Sequence, residues 1–507
     1  MKNKSRRNIL CLLIILLIVV QAQFLMACRP QDQENKFAAA EALLEKAVSS
    51  PQVPSISVAV SHGGKIVWEK SVGFANIEKE IKATPTTAYS LASVSKPITA
   101  TGLMMLVERG QIDLESPVNR YLGKSKLHSP SQNVEEATVL RIMNHTAGMG
   151  THWHFFYIDD PYLRPTMDET IRRYGVLVFP PGRQYMYSNL GYGILDYLIE
   201  RVSGSPYPEF MAEEVFKPLG MTDSAVYVEP GLEDRVAQRY MGKGKPIPFY
   251  DFDHRGASGV YSSARDLVRF GMFHLKNHLP DQKQILKDET IDNMQSLSDP
   301  GVDSNEYRLG WSRSHLAQYT AISHGGGMPG VTTNLLLLPE MDIAIAMLCN
   351  ANYKGLRSLG QAVLEVLIPH LNKDLAAQQK TETKPKPDPK ETPEAFLGRW
   401  EGEIVTYEGK IPVELVIDTG KKLNFRFVEG QGGNEKSRRP IGRTILGEDS
   451  LNATFYIKFP TKDAARFPHQ LNLNLKRAGN QLTGSASAIA ANMRFCLPSY
   501  ISLTKSE

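Results

Sequence analysis

Ser90-Leu91-Ala92-Ser93-Val94-Ser95-Lys96-Pro97 sets a serine three residues before a lysine. Pro97 suits the first turn of a helix. The apolar residues Ile98, Leu103, Met104, Met105, Leu106 and Val107 follow, and Gly110 stops the run. The stretch reads as a buried helix with Ser93 at its mouth. Positions i and i+3 share a helical face, so Lys96 would carry its amine towards the Ser93 hydroxyl. A serine becomes a nucleophile when a base takes its proton. A desolvated lysine at the positive end of a helix dipole gives up its own proton more readily than in water. An N-capped core helix would show the same eight letters. The motif also recurs as Ser502-Leu503-Thr504-Lys505, in a short alternating stretch, so other parts of the chain have to decide.

Two stretches do so. Tyr185-Met186-Tyr187-Ser188-Asn189-Leu190-Gly191-Tyr192-Gly193 holds Tyr-x-Asn at Tyr187 and Asn189. A phenol near cations can have a lowered pKa and act as a base. Asn189, on the same face of a strand or turn, offers an amide. Ser323-His324-Gly325-Gly326-Gly327-Met328-Pro329-Gly330 has no side chains over three positions. A strand edge this bare lets a substrate carbonyl approach closely. The apolar residues 335–338 and 343–348 read as two core strands joined at a turn after Pro339.

With Ser-x-x-Lys, Tyr-x-Asn and His-Gly-Gly in that order, residues 37–371 resemble the serine β-lactamase-like hydrolases, in the branch of class C β-lactamases, DD-peptidases and family VIII esterases. Leu140-Arg141-Ile142-Met143-Asn144-His145-Thr146-Ala147-Gly148-Met149, Pro180-Pro181-Gly182, Lys217-Pro218-Leu219-Gly220-Met221 and Gly259-Val260-Tyr261-Ser262-Ser263-Ala264-Arg265-Asp266-Leu267 also match that pattern. The resemblance implies an α/β fold: an antiparallel sheet flanked by helices, plus a helical subdomain. It makes Ser93 the nucleophile, with Lys96 and Tyr187 sharing the acid and base work. It gives Asn189 a part in orienting substrate and Lys96, and makes the N–H groups of Ser93 and Gly327 the oxyanion hole. The third motif departs from the family's Lys-Thr/Ser-Gly. His324, Gly325 and Gly326 would line the substrate site without the lysine and hydroxyl that grip a β-lactam carboxylate. His324 is expected to carry charge only at mildly acidic pH. Ester or peptide cleavage fits these letters better than β-lactam hydrolysis. A non-catalytic binding protein that keeps the fold is the reading from another class. No cofactor or metal is implied.

A chain of 507 residues exceeds one ordinary domain. Lys2, Lys4, Arg6 and Arg7 precede an apolar run over residues 9–20, a pattern of secretory signals. The segment 1–27 ends in Leu25-Met26-Ala27, and Cys28 follows. This resembles the lipobox of bacterial lipoproteins, which implies a lipid on Cys28 and a catalytic region held at the membrane, outside the cytoplasm. An uncleaved anchor is the alternative, weakened by Gln21 and Gln23. Without the four leading cations the net charge of +4 falls to near neutral. Nothing then argues for nucleic acid as a partner. Small esters, peptides or β-lactams are the expected substrates, and the oligomeric state is left open.

The catalytic region spans residues 28–375. Pro385, Pro387, Pro389 and Pro393, with Lys and Glu between, mark a solvated linker over 376–394. Residues 395–507 alternate apolar and polar, as in Leu471-Asn472-Leu473-Asn474-Leu475, and predict an independent antiparallel β-barrel or sandwich. Cys349 and Cys496 are expected as buried free thiols. The aromatic run His152-Trp153-His154-Phe155-Phe156-Tyr157 would pack in a loop, wall an apolar pocket or, through its paired histidines, hint at a metal. In Asp251-Phe252-Asp253-His254 the aspartates would cap a loop, with His254 near substrate. His145 is expected as a hydrogen-bonded core histidine.

Overall fold

The computed structural model describes residues 36–228, 236–242, 244–302, 306–381, 393–428, 439–441 and 444–506. The signal-like segment 1–27 and Cys28 lie outside the described residues.

Helix α1 (Ala38–Val48) leads into the hairpin of β1 (Ser55–His62) and β2 (Lys65–Asn76). Gly63 and Gly64 join these strands with φ of 60° and 70°. A two-residue turn of this hand needs positive φ at both positions. The short β3 (Ile81–Lys82) follows, and then the Ser93 helix, α2 (Ser95–Glu108). Residues 95–106 of α2 are all buried, as its apolar run predicts. Strand β4 (Trp153–Tyr157), helix α3 (Asn189–Ser203), β5 (Tyr250–Phe252), α4 (Arg255–Ser258) and α5 (Ala264–His274) come next. Strands β6 (Ser312–Leu316), β7 (Tyr319–Met328), β8 (Val331–Leu338) and β9 (Ile343–Cys349) complete the main sheet.

That sheet has seven antiparallel strands in the order β6-β7-β8-β9-β1-β2-β3. Every residue of β9 is buried because both faces of the sheet are covered. Ile343, Ile345 and Met347 meet α1 and α6 (Leu356–Leu367); Ala344 and Ala346 face the side of α2 and α5. Helix α7 (Leu371–Thr381) runs into the stretch read as linker, so the extended segment does not begin at 376. Residues 382–392 lie outside the described residues.

The C-terminal region is a curled antiparallel sheet built from β10 (Gly398–Thr406), β11 (Gly409–Asp418), β12 (Lys422–Phe427), β13 (Ile445–Leu446), β14 (Ser450–Phe455), β15 (His469–Ala478), β16 (Gln481–Ala490) and β17 (Phe495–Lys505). Its order is β12-β11-β10-β17-β16-β15-β14-β13, with no pairing between the two end strands among the described residues. It is therefore a half-barrel rather than a closed barrel or a sandwich. Leu471, Leu473 and Leu475 point inward at alternate positions, as period-2 patterning demands. Ser502 and Lys505, three apart on β17, face opposite sides of that strand. Their Ser-x-x-Lys match has no common face.

The half-barrel is not separate in space. Phe495 and Cys496 of β17 pair with His154 and Trp153 of β4, which pairs through Phe155–Tyr157 with β5 on its other side. Arg173 binds Asp463 at 2.8 Å across the same seam, and Arg494 pairs with Asp160. Cys349 and Cys496 are buried and unbridged, as expected.

Candidate active site

Ser93 sits in a 3-10 turn, Ala92–Val94, that runs straight into α2. Ala92 has φ of 48°, a left-handed conformation that costs a residue with a β-carbon about 1–2 kcal/mol. Contacts with the sheet hold this turn. Thr333 Oγ1 donates to Leu91 O at 2.7 Å. Gly326 lies so close that a β-carbon there would come within 2.3 Å of Leu91 O and 2.1 Å of Thr333 Oγ1. The absent side chain thus lets the Ser93 turn rest on β7.

Lys96 is fully buried in the first turn of α2. Burial drives its pKa far below that of an ordinary lysine. Its Nζ lies 2.8 Å from Asn189 Oδ1, 3.1 Å from Ala257 O and 3.2 Å from Ser93 Oγ. A neutral amine has two N–H groups and one lone pair. The two carbonyl oxygens accept only, so each takes an N–H of Lys96; in the neutral amine the lone pair is then what remains for the Ser93 hydroxyl.

Tyr187 precedes α3, and Asn189 opens that helix, with Ser188 capping it by accepting from Gly191 N–H at 3.2 Å. The pair therefore lies at a helix start, not on the strand or turn face the letters suggested. Asn189 Nδ2 donates to His152 O at 3.0 Å, which fixes its oxygen towards Lys96. The Tyr187 phenol faces the Ser93 hydroxyl, and its ring centre is 4.7 Å from Lys96 Nζ. Burial raises its pKa above the usual phenol value, the opposite of the lowering expected from the sequence. That lowering required charged neighbours, and at Tyr187 the cost of burying a phenolate outweighs them. His145 accepts from Ser188 N–H through Nδ1 at 3.2 Å and packs against Tyr187 and Tyr307 at 4.4 and 4.5 Å between ring centres. It is a core histidine, as read, although its Nε2 has no hydrogen-bond partner.

The His-Gly-Gly motif lies on β7. Strand β6 pairs with β7 only as far as Ser323, so residues 324–328 leave that edge without a strand partner among the described residues. Gly325 and Gly327 are exposed, while His324 and Gly326 point inward. His324 is locked on both nitrogens: Nε2 meets the Tyr307 hydroxyl at 2.9 Å and Nδ1 meets Gly325 O at 2.8 Å. Burial pushes its pKa down to about 3. The expectation that it charges in mild acid is thus corrected: burial disfavours its charged form. Ala92 and Met328 join Phe155, Tyr157, Ile247, Tyr250, Phe252 and Val331 in an apolar cluster beside Ser93. The aromatic run at 153–157 is a strand, and Phe155 belongs to this buried cluster.

Sequence reasoning did not foresee the group formed by His152, Asp253 and His254. His152 Nε2 lies 2.9 Å from Asp253 Oδ2, and His254 Nδ1 lies 2.7 Å from Asp253 Oδ1. Burial alone would raise the Asp253 pKa, but the two imidazoles hold it below the ordinary carboxylate range. Asp253 pairs with side chains rather than capping a loop. Asp251 binds Arg255 at 2.7 Å and Arg164 at 2.9 Å. The three donors are close enough to meet one ion, all within 4.8 Å of one another. Their mutual hydrogen bonds already account for that spacing. His154, the other histidine of the run, points into the seam against Phe495.

The class these features define is matched by sequence comparison. The family profile "Beta-lactamase" covers residues 40–368, and the chain belongs to that family; it is a serine hydrolase. It is 23% identical over 355 residues to Protein flp of Staphylococcus aureus (strain MRSA252), spanning 68% of this chain and 67% of that protein. It is 26% identical over 320 residues to unguisins hydrolase ungD' of Aspergillus campestris (strain IBT 28561), 60% of this chain and 59% of the other. The crystal structure of SurE superposes with a TM-score of 0.63 at 21% identity, over 93% of this chain and 99% of that one. This last likeness extends the shared fold into the C-terminal half-barrel.

Proposed function

We propose that Ser93 attacks the carbonyl of an ester or amide and carries the acyl group as an intermediate. The observation behind this is the environment of Lys96: buried, with Nζ held by Asn189 Oδ1 and Ala257 O and 3.2 Å from Ser93 Oγ. Lys96 takes the serine proton as the oxygen–carbon bond forms. Tyr187, whose phenol keeps its proton, passes one to the leaving group as its bond to the acyl carbon breaks. Lys96 restores the Tyr187 proton. Water then adds to the acyl carbon by the same route reversed, releasing acid and free Ser93. The N–H groups of Ser93 and Gly327 hold the oxyanion; a well-aimed donor of this kind contributes on the order of 10²-fold.

Neutral esters and uncharged peptide ends fit the site better than β-lactams. His324 is spent on Tyr307 and Gly325 O and offers no cation to a carboxylate. Export by the segment 1–27 and a lipid on Cys28 would place this activity in the cell envelope. A fluorescent alkyl phosphonate, followed by peptide mass spectrometry, tests the assignment. The adduct belongs on Ser93, and Ser93→Ala abolishes it. An adduct on any other residue overturns the reading.

A further inference from the structure

Lys96 is aimed by two carbonyl groups, Asn189 Oδ1 and Ala257 O, and neither stands alone. Asn189 is oriented by its bond to the backbone oxygen of His152. Ala257 is tied through its N–H to the backbone oxygen of His254 at 3.0 Å. Those two histidines come from different segments, one at the start of β4 and one between β5 and α4. Their side chains converge on a single carboxylate. His152, Asp253 and His254 are at most 1% exposed. His152 Nδ1 has no partner, so its Nε2–H is the group that donates to Asp253. His254 has little room to shift: its Cα would be 2.8 Å from a β-carbon placed on Gly193 of α3.

We propose that Asp253 is a positioning residue, a buried carboxylate that clamps His152 and His254 and so fixes both carbonyl groups from which Lys96 is hung. The inference rests on Lys96 as the base that activates Ser93. It goes beyond that reading by placing the control of the lysine's lone pair in a residue that touches neither lysine nor serine. A buried carboxylate flanked by two imidazoles has no role in a simple core, where apolar residues would serve at less desolvation cost. Displacing a reacting group by about 1 Å can cost on the order of 10²-fold in rate.

The test measures Ser93 labelling by a small fluorescent phosphonate in full-length wild type, Lys96→Ala, Asp253→Ala and Asp253→Asn, each with its melting temperature. We expect Asp253→Ala to label about 10- to 100-fold more slowly at saturation. Its half-saturating probe concentration should stay within about twofold of wild type, since the probe touches none of the clamp. Asparagine can still bond both imidazoles, accepting from one and donating to the other, so Asp253→Asn should regain most of the rate. Should Asp253→Ala fail to fold, His152→Leu severs one arm alone and should give a smaller slowing of the same kind. Wild-type saturation rate in folded Asp253→Ala, or in folded His152→Leu where that stands in, overturns the clamp. So does an Asp253→Asn protein as slow as Asp253→Ala. Lys96→Ala separates the two ideas: if it labels normally, the lysine reading itself has failed, and if it is inert while folded Asp253→Ala labels at the wild-type rate, only the clamp has.

Discussion

Strands β7 and β15 are both ten residues long and both sit in antiparallel sheets, yet one lies beside Ser93 and the other is scaffolding. Strand β15 is paired on both edges, with β14 and β16, and fills its inner face with leucines. Strand β7 loses its β6 partner at Ser323 and discards its side chains just beyond. The difference shows what a site costs. An open edge and three glycines weaken a sheet, so they persist where something else uses the space. Here Gly326 lets the Ser93 turn dock against the strand.

The comparison breaks first at Gly326. Valine there should push the Leu91–Ser93 turn off β7 and lower kcat about 10²-fold or more, whereas Gly325→Ala, whose new β-carbon meets nothing nearer than 3.9 Å, should stay close to wild type. Esterase assays on the two proteins decide; equal activity would mean that the glycines matter as a group and not by position. Next come two apolar truncations in the half-barrel. Phe495→Ala, at the seam with β4, and Leu473→Ala, in mid-sheet, each remove a fully buried side chain and should cost about 2–5 kcal/mol in denaturant unfolding. Only the seam variant should also lower kcat, because Cys496 beside it donates to Thr151 O and Thr151 in turn donates to Tyr187 O. If both lose activity equally, the half-barrel acts through global stability alone.

The smallest effects are those of pH. Protonated Lys96 cannot accept from serine, so kcat should fall on the acid side as pH drops through the lowered pKa of that lysine. Stability should fall on acidification too. His154 and His324 have pKa values of about 3 in the fold, against an ordinary value near 6.5. Between those two values the unfolded chain binds protons first, so stability present at neutral pH is lost as pH falls through that window. His154→Asn at the seam and His324→Asn on β7 should each flatten the fall by about 1.4 kcal/mol per pH unit. Urea melts at pH 4 to 7 would show it, and an unchanged slope would mean that the histidine is charged in the fold.

Much of this was legible in the letters because it is local. The β1–β2 hairpin, the buried helix behind Ser93 and the alternating leucines of β15 follow from periodicity and turn chemistry. Ser93, Lys96, Tyr187, Asn189 and the glycines of β7 were marked by motif, and the fold brings Ser93, Lys96, Tyr187 and Asn189 together beside Gly326. What the letters missed depends on neighbours. The directions of the Tyr187 and His324 pKa values are set by burial, which no three-residue motif reports. The convergence of His152 and His254 on Asp253 joins residues 101 apart. A signal did exist: an Asp-His pair beside a loop assigned to the site. The seam with β17 was hidden because a proline-rich stretch says that two regions are separable in sequence, not that they stay apart.

We expect that seam to form late in folding. Thr151, which holds the loop of Tyr187, receives the Cys496 thiol from 345 residues away. Contacts of such range pay their loop-closure entropy before they return anything, and they form late. The Ser93 turn, its helix and the hairpins around it are short-range and can assemble early. A partly folded chain would therefore own its serine and lysine while the tyrosine's loop still lacked its backing, and full hydrolytic power would arrive with the last strand to dock.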